Sequence, residues 1–118
     1  MHTCLLPTNK MAINHQLIFC TYPDKSSAES IARLLINEKL AACVNIISGV
    51  TSIYAWEQKI ETAEECLLLI KANKSNYQLI EEIIKKRHPY ELPEIIAVSI
   101  EDGLPEYLHW IDSCHFLK

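Results

Sequence analysis

Apolar residues recur along the chain with two different spacings, and these spacings predict an alternation of strands and helices. Runs rich in β-branched and aromatic residues predict four strands, at residues 16–22, 43–56, 60–72 and 94–100. Apolar positions three and four residues apart predict three helices, at residues 27–40, at residues 75–88 and from Pro105 onwards. Gly49 lies inside the second strand and predicts a bulge, so we interpret that segment as one long, kinked strand.

Local signals predict where the helices begin and end. A serine followed three residues later by Glu or Gln forms a capping box, which predicts helix starts at Ser26 and Ser75. Pro89 disfavours helical geometry at the residue before it, so the second helix is predicted to end at His88.

The order of the elements is βαββαβ followed by a terminal helix, which is typical of an α+β, ferredoxin-like sandwich. Right-handed crossovers then predict an antiparallel sheet of order 4-1-3-2 with the first two helices on one face. We interpret residues 1–14 as a weakly structured extension and residues 15–118 as a single domain.

Composition narrows the possible functions. The 118 residues carry a net charge of −4, and the one basic run is residues 85–87, which argues against nucleic-acid binding. No apolar run exceeds five residues, so no membrane span is predicted. The five scattered cysteines include no C-x-x-C pair, which predicts reduced thiols and a cytoplasmic location.

The predicted topology places the end of strand 1 beside the start of strand 4 and the end of helix 2. Cys20, His88 and Glu94 should therefore converge at one edge of the sheet. A thiolate, an imidazole and a carboxylate together suit a borderline-soft ion such as copper or zinc. The alternative is structural, because a lone cysteine is often a small buried hydrophobe and a histidine at a helix end often caps carbonyl groups.

Motifs spread over residues 17–111 resemble those of the CutA family of divalent-cation tolerance proteins. They are Cys20-Thr21 with Pro23-Asp24, residues 40–46, Ser52, Tyr54, Trp56-Glu57, Lys71, His88-Pro89-Tyr90, Pro93-Glu94, Tyr107 and Trp110. The resemblance implies a cytoplasmic homotrimer linked to tolerance of copper and other divalent metals, in a family whose biochemical activity is poorly defined. We expect no organic cofactor.

The resemblance also implies a ligand set and one departure from it. Copper ligands of the family match Cys20 and His88, but a second histidine of the family is replaced by Arg87, which has no free lone pair. Glu94 is our substitute ligand. The alternative function is that of a trimeric signalling or scaffold protein, in which Lys71, Arg87 and Trp56 bind a small anionic effector in intersubunit clefts.

Large side chains on the second strand support the trimer. Ser52, Tyr54 and Trp56 alternate onto one face of its projecting part, where a monomer would leave the aromatic rings exposed. We expect this face to form the trimer interface.

An enzyme is a further alternative, with Cys20 as nucleophile, His88 as base and Glu94 orienting the imidazole. No glycine-rich oxyanion turn adjoins Cys20, so we expect no catalytic residues and no enzyme.

Overall fold

The computed structural model describes residues 14–113, so all but the last residue of the predicted extension lies outside the described residues. The strands are β1 His15–Tyr22, β2 Cys43–Trp56, β3 Lys59–Asn73 and β4 Ile95–Ser99. The α-helices are α1 Lys25–Asn37, α2 Tyr77–Arg87 and α3 Pro105–Asp112, and a 3₁₀ turn at Lys74–Asn76 precedes α2.

The four strands form one antiparallel sheet of order β2-β3-β1-β4, which is the predicted order read from the opposite edge. Strand β1 is central, and Cys20 pairs with Leu68 of β3 on one side and Ile95 of β4 on the other. The α+β ferredoxin-like prediction is therefore confirmed, including the neighbours of β1 that bring the candidate site together.

The start of α1 differs from the prediction. The helix begins at Lys25, and the Asp24 side chain is its cap, accepting a hydrogen bond from the Ser27 amide at 2.7 Å. The predicted capping box at Ser26 is therefore wrong, because a carboxylate two residues earlier already satisfies an unpaired amide of the first turn. The helix also ends three residues early, before Lys39 adopts a φ of 63°.

The predicted start of α2 at Ser75 is also wrong, for a similar reason. The Asn73 side chain accepts a hydrogen bond from the Ser75 amide at 3.0 Å and caps the 3₁₀ turn, and regular helix begins at Tyr77. The end of α2 at Arg87, with His88 as its C-cap, confirms the effect predicted for Pro89.

The two faces of the sheet differ in how completely they are covered. Helices α1 and α2 cover one face, where Ile18, Cys20 and Tyr22 of β1 are almost fully buried. On the other face Ile96 and Val98 remain 55% and 48% exposed. No helix within residues 14–113 is both long and apolar enough to cross a membrane.

Strand β2 is long and kinked, as predicted. The register with β3 shifts between Ile47 and Val50, and Gly49 lies there with a φ of 75°. Beyond the bulge, β2 and β3 form an arm that ends in a tight turn, where Glu57 and Gln58 both have positive φ. The arm places the residues of the candidate trimer interface beside the site.

Candidate functional site

The candidate site lies where β1 ends, α2 ends and β4 begins. His88 leaves the helix with an extended backbone, φ −75° and ψ 140°, which is the geometry that a following proline favours. Its imidazole is thereby directed back to the end of β1, 67 residues earlier in the chain.

Both ring nitrogens of His88 are occupied by hydrogen bonds to the backbone. Nε2 donates to the Thr21 carbonyl oxygen at 2.7 Å, and Nδ1 accepts from the Tyr90 amide at 3.0 Å. A carbonyl only accepts and an amide N–H only donates, so the two bonds select the neutral tautomer with its proton on Nε2. No lone pair of the ring is left for a metal ion unless one of these bonds breaks.

Aromatic rings enclose the imidazole on two sides. The ring centroids of Tyr22 and Tyr90 lie 4.2 and 4.8 Å from that of His88. The side chain is only 9% exposed, and its bond goes to a carbonyl of β1 rather than to the carbonyl groups at the end of α2 that the structural alternative expected it to cap. His88 thus joins β1 to the segment that follows α2.

The Cys20 thiol is enclosed in the core. Its side chain is fully buried on the helical face of the sheet, between Ile18 and Tyr22 of the same strand. Burial raises its pKa to about 12, and the negative charges of Glu94 and Glu65 add to the effect. The thiol is therefore protonated near neutral pH, which makes it a weak nucleophile and a weak metal donor.

A surface cavity of about 750 Å³ lies at the same edge. Neither Cys20 nor His88 is among its lining residues, which are Thr21, Ser52, Ile53, Tyr54, Trp56, Glu65, Pro89, Tyr90, Glu91, Leu92 and Glu94. Three of these side chains are carboxylates, and none is basic. The cavity, which we call the carboxylate cavity, therefore has a negative potential.

Glu65 is the buried member of this carboxylate set and is only 8% exposed. Its carboxylate accepts hydrogen bonds from the Ser52 hydroxyl at 2.6 Å and from the Tyr90 hydroxyl at 2.8 Å. Burial and the bond to Glu65 raise the pKa of Tyr90 to about 12, so its hydroxyl stays a donor. Both partners of Glu65 are neutral, and its charge is held in place without being neutralised.

Sequence reasoning missed Glu65. The apolar run that starts at Cys66 drew attention to the core, although Glu65 precedes it directly and must face the opposite side of the strand. The available signal was an acidic residue directly before the apolar run, while its contact with Ser52, which is diagonal to it across the two strands, depends on their register.

The structure brings Cys20, His88 and Glu94 to one edge but not into one cavity. Cys20 and His88 pack on the helical side, and Glu94 lines the cavity. Within residues 14–113, no group of three or more His, Cys, Asp or Glu side chains is placed to hold a metal ion. The metal-binding role of the three residues stays a prediction.

The residues predicted for an anion-binding cleft are separated within one chain. Trp56 lines the carboxylate cavity, whereas Arg87 lines two other cavities beside α1. Lys71 pairs with Leu17 in the sheet, five residues before Tyr22, and its ammonium group lies 3.3 Å from the Tyr107 hydroxyl. An anion site that combines the three stays a prediction, as does the cytoplasmic location.

The residues of the predicted interface are at the surface of the chain. Tyr54 and Trp56 are 44% and 43% exposed, and Ser52 is half-buried through its bond to Glu65. All three line the carboxylate cavity. A subunit that packed on this face would also close the cavity.

Comparison with known proteins gives consistent matches over the described chain. The model of the family described as CutA1 divalent ion tolerance protein matches residues 16–114. A Yersinia pestis divalent-cation tolerance protein, CutA, is 41% identical over 100 residues, which cover 85% of this chain and 84% of that protein.

Solved structures match equally well. The crystal structure of CutA from Xylella fastidiosa is 49% identical with a TM-score of 0.82, covering 85% of this chain and 96% of that chain. That of CutA1 from Oryza sativa is 39% identical with a TM-score of 0.84, covering 86% and 94%. The fold and the sequence therefore point to the same relatives.

Proposed function

Because the chain belongs to the CutA1 divalent ion tolerance family, we propose that it acts by binding a divalent cation in the carboxylate cavity. The observation that carries this proposal is the lining of the cavity, with three carboxylates and no basic side chain. A divalent cation entering the cavity would neutralise that charge, and the attraction is stronger at a partly buried site than in open water.

Two carboxylates of the cavity can supply oxygen ligands to a cation. Glu65 is held in place by Ser52 and Tyr90, and Glu94 is exposed and can approach an ion from the rim. Carboxylate oxygens bind divalent ions of the first transition row, and for a given site affinity rises toward Cu²⁺. In this proposal Glu65 and Glu94 are the principal ligands.

Cys20 and His88 have a supporting role in the proposal. His88 accepts a hydrogen bond from the Tyr90 amide, and the Tyr90 hydroxyl donates one to Glu65. The imidazole therefore fixes the segment that orients the buried carboxylate. Cys20 stays protonated beneath the sheet. The ligand set of Cys20, His88 and Glu94 is the competing version, and it shares only Glu94 with ours.

Calorimetric titration with Cu²⁺ and Zn²⁺ separates the two versions. We expect Glu65→Gln and Glu94→Gln each to weaken binding about tenfold or more, because each removes one charged ligand. Glu82→Gln removes an exposed carboxylate of α2 outside the cavity and should change the affinity less than about twofold.

The titration can also favour the ligand set of Cys20, His88 and Glu94. If Cys20→Ala weakened binding while Glu65→Gln did not, the carboxylate site would be wrong and the thiol site correct. If no variant differed from the wild-type chain, both sites would be wrong.

We also propose that the chain forms a homotrimer through the face that carries Ser52, Tyr54 and Trp56. Supporting this, Tyr54 and Trp56 are 44% and 43% exposed on that face, and the opposite face of the same arm exposes 69% of Ile53 and 81% of Ile60. Apolar surface of this extent, next to an edge strand, favours association.

Sedimentation velocity at micromolar concentration tests the assembly. We expect a single species with three times the mass of one chain, and we expect Trp56→Lys to shift the population toward monomers because it places a charge in the interface. Gln78→Lys adds the same charge at an exposed position of α2, outside the arm, and should leave the trimer intact. A wild-type monomer would contradict the proposal.

A further inference from the structure

A smaller cavity of about 400 Å³ lies on the helical side of the molecule, between α1 and the end of α2. Its lining residues are Tyr22, Ser26, Ser27, Ser30, Ile31, Leu34, Arg87 and Pro89. Four of these carry hydroxyl groups, one carries a guanidinium and none carries a carboxylate. This cavity is therefore positively charged, whereas the carboxylate cavity is negatively charged.

Arg87 supplies the positive charge. It is the last residue of α2, follows Lys85 and Lys86, and its guanidinium makes no hydrogen bond or ion pair with any residue between 14 and 113. A guanidinium offers five N–H donors in a planar arrangement that matches two oxygens of a phosphate or carboxylate. The free guanidinium can therefore bind an oxyanion without first breaking a bond.

Tyr22 provides an independent sign of a missing partner. The residue is only 2% exposed and lines the cavity, yet its hydroxyl has no hydrogen-bond partner within the described part of the chain. A phenolic hydroxyl carries its proton at neutral pH and can donate a hydrogen bond. Buried hydroxyl groups are nearly always paired, and an unpaired one lowers stability.

The serines of α1 complete the set of donors. Ser26 and Ser30 lie one helical turn apart on the side of α1 that lines the cavity, and neither side chain makes a hydrogen bond to a described residue. Ser27 differs, because its hydroxyl lies 3.2 Å from a carboxylate oxygen of Asp24. Two hydroxyl donors thus remain available beside Arg87.

We propose that this cavity binds the phosphoryl group of a small phosphate compound, with Arg87 as its principal donor, Ser26 and Ser30 beside it, and the Tyr22 hydroxyl, which is closed to water in the free chain, joining them when the ligand enters. A tetrahedral group with three terminal oxygens uses donors from several directions, whereas a planar carboxylate is satisfied by the guanidinium alone. The site is separate from the carboxylate cavity and does not depend on cation binding.

The full chain can be titrated with inorganic phosphate and with glycerol phosphate, by calorimetry or by amide chemical shifts. We expect saturable binding at millimolar concentration and a loss of about tenfold or more in Arg87→Gln. Lys85→Gln removes a charge of the same sign from the same helical turn but outside the cavity, and its affinity should stay within about twofold of wild type. Equal affinity for the two probes shows that the cavity contacts only the phosphoryl group, and tighter binding of one of them identifies free phosphate or an ester as the preferred ligand.

Tyr22→Phe distinguishes a ligand donor from a structural hydroxyl. The substitution keeps the ring that packs on His88 and removes only the unpaired hydroxyl, so the urea midpoint of the free chain should not fall. Phosphate binding should nevertheless weaken about threefold or more. The proposal is overturned if Arg87→Gln and Lys85→Gln bind alike, if Tyr22→Phe binds as wild type does, or if neither probe saturates.

Discussion

Replacing His88 with alanine should lower the free energy of unfolding by about 3 kcal/mol. The substitution removes an imidazole that is only 9% exposed and lies between the rings of Tyr22 and Tyr90. It also leaves the Thr21 carbonyl and the Tyr90 amide without their partners. Urea unfolding followed by circular dichroism, at one fixed chain concentration, measures the loss.

Two further substitutions make this expectation specific. His88→Gln keeps an N–H donor for the Thr21 carbonyl, so it should cost about half as much as alanine. His109→Ala, at an exposed position of α3, should change stability by less than about 0.5 kcal/mol. A loss in His88→Ala no larger than that in His109→Ala would show that His88 does not support the fold and would favour a ligand role.

Stability should fall steeply at alkaline pH, and Cys20 should account for much of the fall. Folding raises the pKa of this thiol from 9.0 to about 12, so the protonated form stabilises the folded chain. The contribution is complete below about pH 9 and is lost as pH rises toward 12, where a folded chain must bury a thiolate. A shift of this size corresponds to about 3 to 4 kcal/mol between the two pH values.

Urea midpoints at several pH values between 8 and about 11.5 measure how much the protonated Cys20 thiol contributes to stability. Cys20→Ala should flatten the dependence, although it also lowers stability at every pH by removing buried volume. Cys43→Ala controls for the loss of a thiol elsewhere in the sheet. The two variants should differ in the slope of urea midpoint against pH, and this difference measures the effect of Cys20. Equal slopes would contradict the assignment. Tyr90, whose pKa folding also raises, contributes to the slope that both variants share.

The fold could be predicted from the sequence where local rules act alone. Pro89 ends α2 and Gly49 bends β2, because each acts through its own backbone geometry. The helix starts could not be predicted as well, since Asp24 and Ser26 are both good capping residues and only the folded backbone decides between them.

The topology predicted which backbone segments meet at the site, but not which side chains face one another there. Strand order places the backbones of Cys20 and Glu94 at one edge, but side chains alternate between faces, and the Cys20 thiol belongs to the helical face. The role of His88 depends on a carbonyl 67 residues away, which no local pattern reports. Glu65 became visible only once β2 and β3 were paired and Ser52 was brought beside it.

The number of protons released when Zn²⁺ binds shows whether carboxylates or the Cys20 thiol hold the ion. Titrations near pH 6.5 in two buffers of different ionisation enthalpy give this number, because a carboxylate binds a metal ion without losing a proton whereas a thiol must lose one. If Glu65 and Glu94 are the ligands, we expect close to zero protons released per ion. Release of about one proton per ion would show that the Cys20 thiol, with its pKa of about 12, is deprotonated by the metal, and would contradict the carboxylate site.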